Sequence, residues 1–418
     1  MTTTTTSVEG TSLKARTVRI DGRLPNLIDE AGETGFLWRD GAGGIAGNGV
    51  AMRIDLPQGL ADLEAVREAI RLLNTIDVED AVGLPGCGAV AIGALPFDRS
   101  APAHLIVPRR VVGRSGSEAW ATTIEPGSGD TAPKTAEGSP PDQFTLTSSM
   151  PHADWQAVVT GALDAIKRGE LRKVVLARRV EITSNRPFVV TDVLSRLEAL
   201  YPSCMVFSVN GFIGASPELL IRRHGLTVES HPLAGTVARS GDSKSDEALV
   251  AGLMASEKAR HEHQVVVDAL QEILEEVCSE IEVPSQPSVM GLRNVSHLAT
   301  HITGQLVAGG AAGGPPSALE LAARVHPTPA VGGDPTGAAL DYLRQVEGFD
   351  RGFYAGPVGW VDARGDGAFA VGIRCAEVNG ARARIYAGNG VVEGSDPADE
   401  LVETQLKLQA LLAALVRP

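Results

Sequence analysis

The stretch Arg351–Val392, RGFYAGPVGWVDARGDGAFAVGIRCAEVNGARARIYAGNGVV, decides how the rest of the chain is read. Its apolar residues alternate with small or polar ones, and turn residues recur at Arg364–Gly367 and at Asn379–Gly380. That is the pattern of a meander of antiparallel strands. Working back toward the N-terminus, VTDVLSRLEALYP reads as a helix ended by its proline, and CMVFSVNGFIGASPELLIRRHG as a hairpin turning at Asn210–Gly211. DWQAVVTGALDAIKRGELRKVVLARRVEI reads as a helix, a glycine stop and a strand. SDEALVAGLMASEKARHEHQVVVDALQEILEEVC has apolar residues at helical spacing and reads as one long amphipathic helix. Toward the C-terminus, Ser395-Asp396-Pro397 offers a capping side chain and a first-turn proline for a last helix, from about Asp399 to Val416. Hairpins mixed with helices, without regular strand–helix alternation, define an α+β fold.

Residues 1–15 are threonine-rich and polar, and are expected to form a disordered tail. Residues 16–150 read as a β-rich N-terminal half, with a Gly/Ser/Pro-rich loop expected at about 114–143; residues 151–418 follow as a second region. With 43% hydrophobic and 21% charged residues, the 418-residue chain has a globular composition and can bury a large core. Its net charge of −14 argues against nucleic acid or an anionic membrane as partner, so an anion would need a local cluster of positive charge. Cys87, Cys204, Cys278 and Cys375 lie far apart and read as reduced thiols. No secretory signal is recognisable, and no stretch approaches the roughly 18 apolar residues of a membrane helix. A cytoplasmic location is expected.

Glutamates on the helices pose the functional question. Glu400, Glu403 and Lys407 share one face of the last helix. Spacing alone makes that a solvated face with one ion pair, worth about 0.3–0.5 kcal/mol. Glu262 lies between His261 and His263, a triplet whose side chains leave a helix in three directions, so it is not a two-histidine metal site. Mg²⁺ takes one or two protein carboxylates and completes its shell with water and substrate oxygens. Two helices each offering a glutamate fit that need, and so do two ordinary helices.

From about Asp154 to the C-terminus a series of ordered motifs bears on the choice: KVVLARR, GASPELLI, HPLAGT, EKARHEH, VSHLAT, HPTPAVGG, FYAGPVGW, GIRCA, YAGNGVV and SDPADELVETQLK. In this order they resemble the chorismate-utilising enzymes, which include isochorismate synthase, salicylate synthase and the large chains of anthranilate and aminodeoxychorismate synthase. The resemblance implies one large α+β domain, joining 151–418 with the N-terminal half. Its two antiparallel sheets would pack together with helices outside and an active site in the cleft. It also implies that chorismate and Mg²⁺ bind, that Glu262 and Glu403 hold the metal with Glu400 assisting, and that no partner subunit is required, the chain acting as a monomer. The family often carries an acid three residues before the EH glutamate, where this chain has Ala259.

The same resemblance assigns the substrate contacts. Arg374, Tyr354 and the backbone amides of Gly388 and Gly390 resemble the donors to the enolpyruvyl carboxylate. Arginine suits a carboxylate because its planar fork bonds both oxygens, and glycine lets backbone approach a ligand. Gly235 and Thr236 resemble the contact to the ring carboxylate, Lys407 adds positive charge nearby, and His297 resembles a histidine near the ring. Family members that add water to C2 carry lysine at the position of Lys173. Such a base needs its pKa lowered, with Arg172, Arg178 and the metal as expected contributors. Glu218 resembles the general acid that protonates the departing C4 hydroxyl. Ala330 and Val331 of HPTPAVGG resemble the isochorismate synthases of menaquinone and catecholate-siderophore routes. The implied reaction is the reversible conversion of chorismate to isochorismate. The alternatives are salicylate synthase, anthranilate or aminodeoxychorismate synthase, and a non-catalytic chorismate-binding protein.

Overall fold

The computed structural model describes residues 12–127, 129–136, 138–308 and 314–416. Two large sheets and one small one carry the fold. In the thirteen-stranded sheet the long strand Lys173–Ser184 lies antiparallel to Arg382–Val392, with Lys173 opposite Val392 and Thr183 opposite Arg382. The nine-stranded sheet includes Leu219–His224, Gly367–Val371, Pro357–Asp362 and Val90–Ala94 as successive neighbours. Trp38, Trp120, Phe207 and Phe212 from the first sheet, and Ile92, Val358 and Phe369 from the second, are buried in one apolar core. A second core on the outer face of the larger sheet is closed by helices Leu27–Ala31, Val190–Leu200 and Pro397–Val416.

The expectation of two antiparallel sheets needs two corrections. A third sheet of three strands, Leu233–Ala238, Val295–Ala299 and Ser288–Gly291, stands apart, and the strand pair Lys14–Arg19 and Asp77–Asp80 is parallel. The opening stretch is also two hairpins rather than one meander. Pro357–Asp362 and Gly367–Val371 pair in the nine-stranded sheet, whereas Cys375–Asn379 and Arg382–Val392 pair in the thirteen-stranded one. The chain crosses between the sheets at Gly372–Arg374, and Arg374 takes a φ of 49°, a left-handed conformation rare outside glycine.

Three further boundaries differ from the sequence reading. The run expected to form one helix is two, Ser243–Ala255 and Glu257–Glu275, because Ser256 leaves helical geometry (ψ 115°) and caps the second through Ala259 N. The loop expected at 114–143 begins with a strand, Glu118–Glu125, whose Trp120, Thr122 and Ile124 alternate inward and are fully buried. A strand also begins at Lys14, inside the expected tail; residues 1–11 of that tail lie outside the described residues. Strands of the N-terminal half pair directly with later ones: Phe36–Asp40 with Met205–Val209, and Val90–Ala94 with Pro357–Asp362. Among the described residues, no helix is long and apolar enough to cross a membrane.

Candidate active site

Beside the crossover lies a cavity of about 720 Å³ counting its solvent-open mouth, lined from the thirteen-stranded sheet, the small sheet, two helices and the loops between strands. Glu218, Gly235, Thr236, Glu262, His297, Ala330, Val331, Tyr354, Arg374, Gly388, Gly390, Glu403 and Lys407 all line it. Glu400 lines the adjoining cavity, which shares Gly235, Thr236, Glu262, Gly390 and Glu403 with the first. Lys173, 2% exposed, reaches the site through an ion pair of 3.1 Å between its Nζ and Glu262 Oε1. Every candidate catalytic, substrate-binding and metal-binding residue is therefore gathered at these two adjoining cavities.

Backbone geometry explains the glycines. The Gly388 carbonyl accepts from Lys407 Nζ at 2.9 Å, so it faces away from the partner strand. The alternation of backbone groups along a strand puts the amides of Gly388 and Gly390 on that same outward edge. A Cβ on Gly390 would lie 2.5 Å from Glu262 Oε1 and 2.8 Å from Lys173 Cε; one on Gly388 would lie 2.8 Å from the Tyr354 hydroxyl. Tyr354 is buried and stacks on Tyr386 with ring centres 5.0 Å apart. Gly235, at a φ of 68°, faces Ala259, whose Cβ would stand 3.1 Å from an added side chain.

A chain of polar contacts crosses the cavity. His297 Nδ1 lies 3.3 Å from the Gly235 carbonyl and 3.2 Å from Thr236 Oγ1, while its Nε2 lies 3.3 Å from Arg374 Nη2. Burial, with Arg374 and Lys407 nearby, holds the imidazole well below its ordinary pKa, so it is neutral. A carbonyl only accepts, so Nδ1 carries the proton and Nε2 accepts from Arg374. Burial also lowers the Arg374 guanidinium from its usual range. Thr236 in turn donates to Glu403.

The acids differ in electrostatics. Glu218 is 4% exposed, and burial pushes its carboxyl up to about 8 against the pull of the Leu233 amide, Lys173 and Lys407. Burial would raise Glu403 as well, but Lys407, 2.6 Å away, Thr236 and Arg374 hold it below its ordinary value. Glu400 is pushed up by burial and then by Glu403, with Glu262 adding to the effect. It accepts from Asn389 and lies 3.4 Å from Lys258 Nζ. No three carboxylate, histidine or cysteine groups form a ready-made metal cluster among the described residues. Yet Glu262, Glu400 and Glu403 line one cavity from two helices, all are hard oxygen donors, and their mutual repulsion is what a divalent cation relieves. The donor set fits Mg²⁺.

Two expectations fail locally. Arg172 and Arg178 do not flank the Lys173 amine, because odd-numbered steps along a strand fall on the opposite face. Arg172 is exposed and bonds Asp334, while Arg178 lies over Trp155 and donates to Thr404 at 3.0 Å. The sequence reading also missed Asn389, 1% exposed, which donates to the Glu400 backbone at 2.8 Å as well as to its carboxylate. Its place between Gly388 and Gly390 was the available signal. The HEH triplet behaves as expected, with His261 exposed, Glu262 at the cavity and His263 buried 2.7 Å from Thr300 Oγ1.

Fold and cavity together, with Lys173, Arg374 and Lys407 meeting several carboxylates, are those of a protein that binds a small charged molecule. The chain belongs to the chorismate binding enzyme family, whose profile matches residues 23–416. It is 38% identical over 339 residues to the isochorismate synthase DhbC of Bacillus subtilis, covering 78% of this chain and 80% of that protein. It is 36% identical over 328 residues to the isochorismate synthase EntC of Escherichia coli K12, covering 77% and 80%. Among solved structures, MenF, the menaquinone-specific isochorismate synthase from Escherichia coli, matches with a TM-score of 0.81 at 25% identity, over 97% of this chain and 95% of that one.

Proposed function

We infer that the protein is an isochorismate synthase, converting chorismate reversibly to isochorismate by addition of water at C2 and loss of the C4 hydroxyl. The observation that carries this reading is Glu218: a buried carboxyl at about 8 is protonated at neutral pH, as a general acid must be, and it shares its cavity with Lys173. Lys173 takes a proton from water, whose oxygen bonds to C2. The ring double bonds shift, the C4–O bond breaks, and Glu218 gives its proton to the departing hydroxide. Arg374, held by His297, Tyr354 and the amides of Gly388 and Gly390 bind the enolpyruvyl carboxylate. Gly235, Thr236 and Lys407 face the ring carboxylate, while Ala330 and Val331 shape the ring pocket. Mg²⁺, held by Glu262 and Glu403 with Glu400 assisting, supplies positive charge to the ring carboxylate when bound. The reading extends to a chain that acts as a monomer, and the four cysteines, free thiols rather than disulfides, accord with a cytoplasmic location.

The test is incubation of the purified protein with chorismate and Mg²⁺, followed by chromatographic separation of the products. A mixture of chorismate and isochorismate, absent with Lys173→Ala, is expected. Accumulation of salicylate and pyruvate would make the protein a salicylate synthase, and no product at all would leave a binding protein.

A further inference from the structure

The strand that carries Lys173 has a gap along one edge. Gly333–Asp334 pairs with it at Lys173 and Val174, and Phe144–Ser148 pairs with it from Val180 onward, leaving Val175 to Arg179 with no strand on that side among the described residues. Two buried side chains partly fill the gap. Arg351 Nη2 donates to the Val175 carbonyl at 2.6 Å, and Glu347 Oε1 accepts from the Ala177 amide at 2.8 Å. The two are themselves paired, Arg351 Nε donating to Glu347 Oε2 at 2.8 Å, and they are 3% and 6% exposed.

Arg351 reaches two further parts of the site. Its Nη1 donates to the Val331 carbonyl at 2.8 Å, and its own carbonyl accepts from Tyr354 N at 2.9 Å. Its guanidinium lies 4.3 Å from the centre of the Phe97 ring and 5.8 Å from that of Tyr354. With Nη2 also donating to Glu347 Oε1, four of its five N–H groups are assigned. Val175, Val331 and Tyr354 all line the cavity, while Arg351 and Glu347 do not. A buried ion pair is weak evidence of stabilisation, because desolvation offsets most of the attraction. What this pair does is join three cavity-lining segments that share no strand.

We propose that Arg351 and Glu347 form a positioning unit for the reaction: standing in for the absent strand, they set the strand of Lys173, the Ala330–Val331 loop and Tyr354 relative to one another. This rests on the isochorismate synthase reading. The pair holds the strand of the base Lys173 together with the substrate-binding Tyr354 and Ala330–Val331 loop, and Gly390 and Gly388 lie opposite Val175 and Ala177, so it acts on turnover first and on affinity to a smaller degree.

Steady-state kinetics with chorismate and Mg²⁺ on the full chain tests it, with thermal melting as a check on folding. Arg351→Lys keeps the charge but loses the planar fork needed to reach both carbonyls and Glu347. The double variant Glu347→Leu with Arg351→Met removes the pair without stranding a buried charge. Both are expected to fold, with kcat down at least about tenfold, as misplaced catalytic groups produce, and KM raised by a smaller factor. Wild-type kcat in either folded variant, a loss confined to KM, or failure of both to fold would each overturn the proposal. Wild-type protein that leaves chorismate unconverted would overturn the functional reading instead, and this proposal with it.

Discussion

Gly390 is where a single missing side chain shapes the site. The space its Cβ would take is already filled by Glu262 Oε1 and Lys173 Cε, so Gly390→Ala should force the pair apart while leaving the strand intact. We expect kcat to fall about 10²-fold with little change in melting temperature, the usual result of displacing a catalytic group by about an ångström. Glu218 gives the site its pH dependence. As a general acid it works protonated, so the wild-type rate should fall as pH rises through about 8, and Glu218→Gln should lower turnover by about 10²–10⁴-fold. Stability follows the same group. Its folded pKa is raised from 4.5 to about 8, so the folded state holds a proton that the unfolded state releases. That contribution is complete below 4.5 and is lost as pH rises toward 8. Urea denaturation across that window should show the wild-type protein losing stability relative to Glu218→Gln, and parallel curves would refute the assignment.

At the scale of elements, the helix that carries Glu262 depends on a break the apolar periodicity concealed. Ser256 ends one helix and caps the next, its side chain accepting from Ala259 N at 3.2 Å. Ser256→Ala should destabilise the protein by about 1 kcal/mol, read as a lower midpoint in thermal or chemical denaturation. Periodicity runs through such a break because both helices present apolar residues to the same neighbours, so the pattern alone shows no boundary. The strand Glu118–Glu125 was hidden differently. Its Glu, Ala and Thr residues resemble a loop, and only pairing with strands on both sides reveals that Trp120, Thr122 and Ile124 point inward. The crossover at Gly372–Arg374 was equally invisible, since alternating residues look the same whichever sheet receives them.

Across the whole molecule, a chain of net charge −14 concentrates Lys173, Arg374 and Lys407 at one spot, together with acids that fit a cation, and the proposed reaction uses that spot for its anionic substrate. Replacing Glu403 by Gln should weaken Mg²⁺ binding at least about tenfold in calorimetric titration with chorismate present, because a charged ligand of a hard cation is lost. Titration curves that match wild type would place the metal elsewhere.

The sequence by itself determined the α+β class and most of the hairpins and helices, because strand alternation, turns and caps are written within a few neighbouring positions, and its ordered motifs carried the resemblance that named the candidate site residues. Only the tertiary structure decided what those residues face. It paired Lys173 with Glu262, turned Arg172 and Arg178 away, made His297 a neutral link between Gly235 and Arg374, and set Glu347 and Arg351 against an unfilled strand edge. Burial and the approach of distant segments fix pKa values and ion-pair partners, and neither quantity is local in the chain.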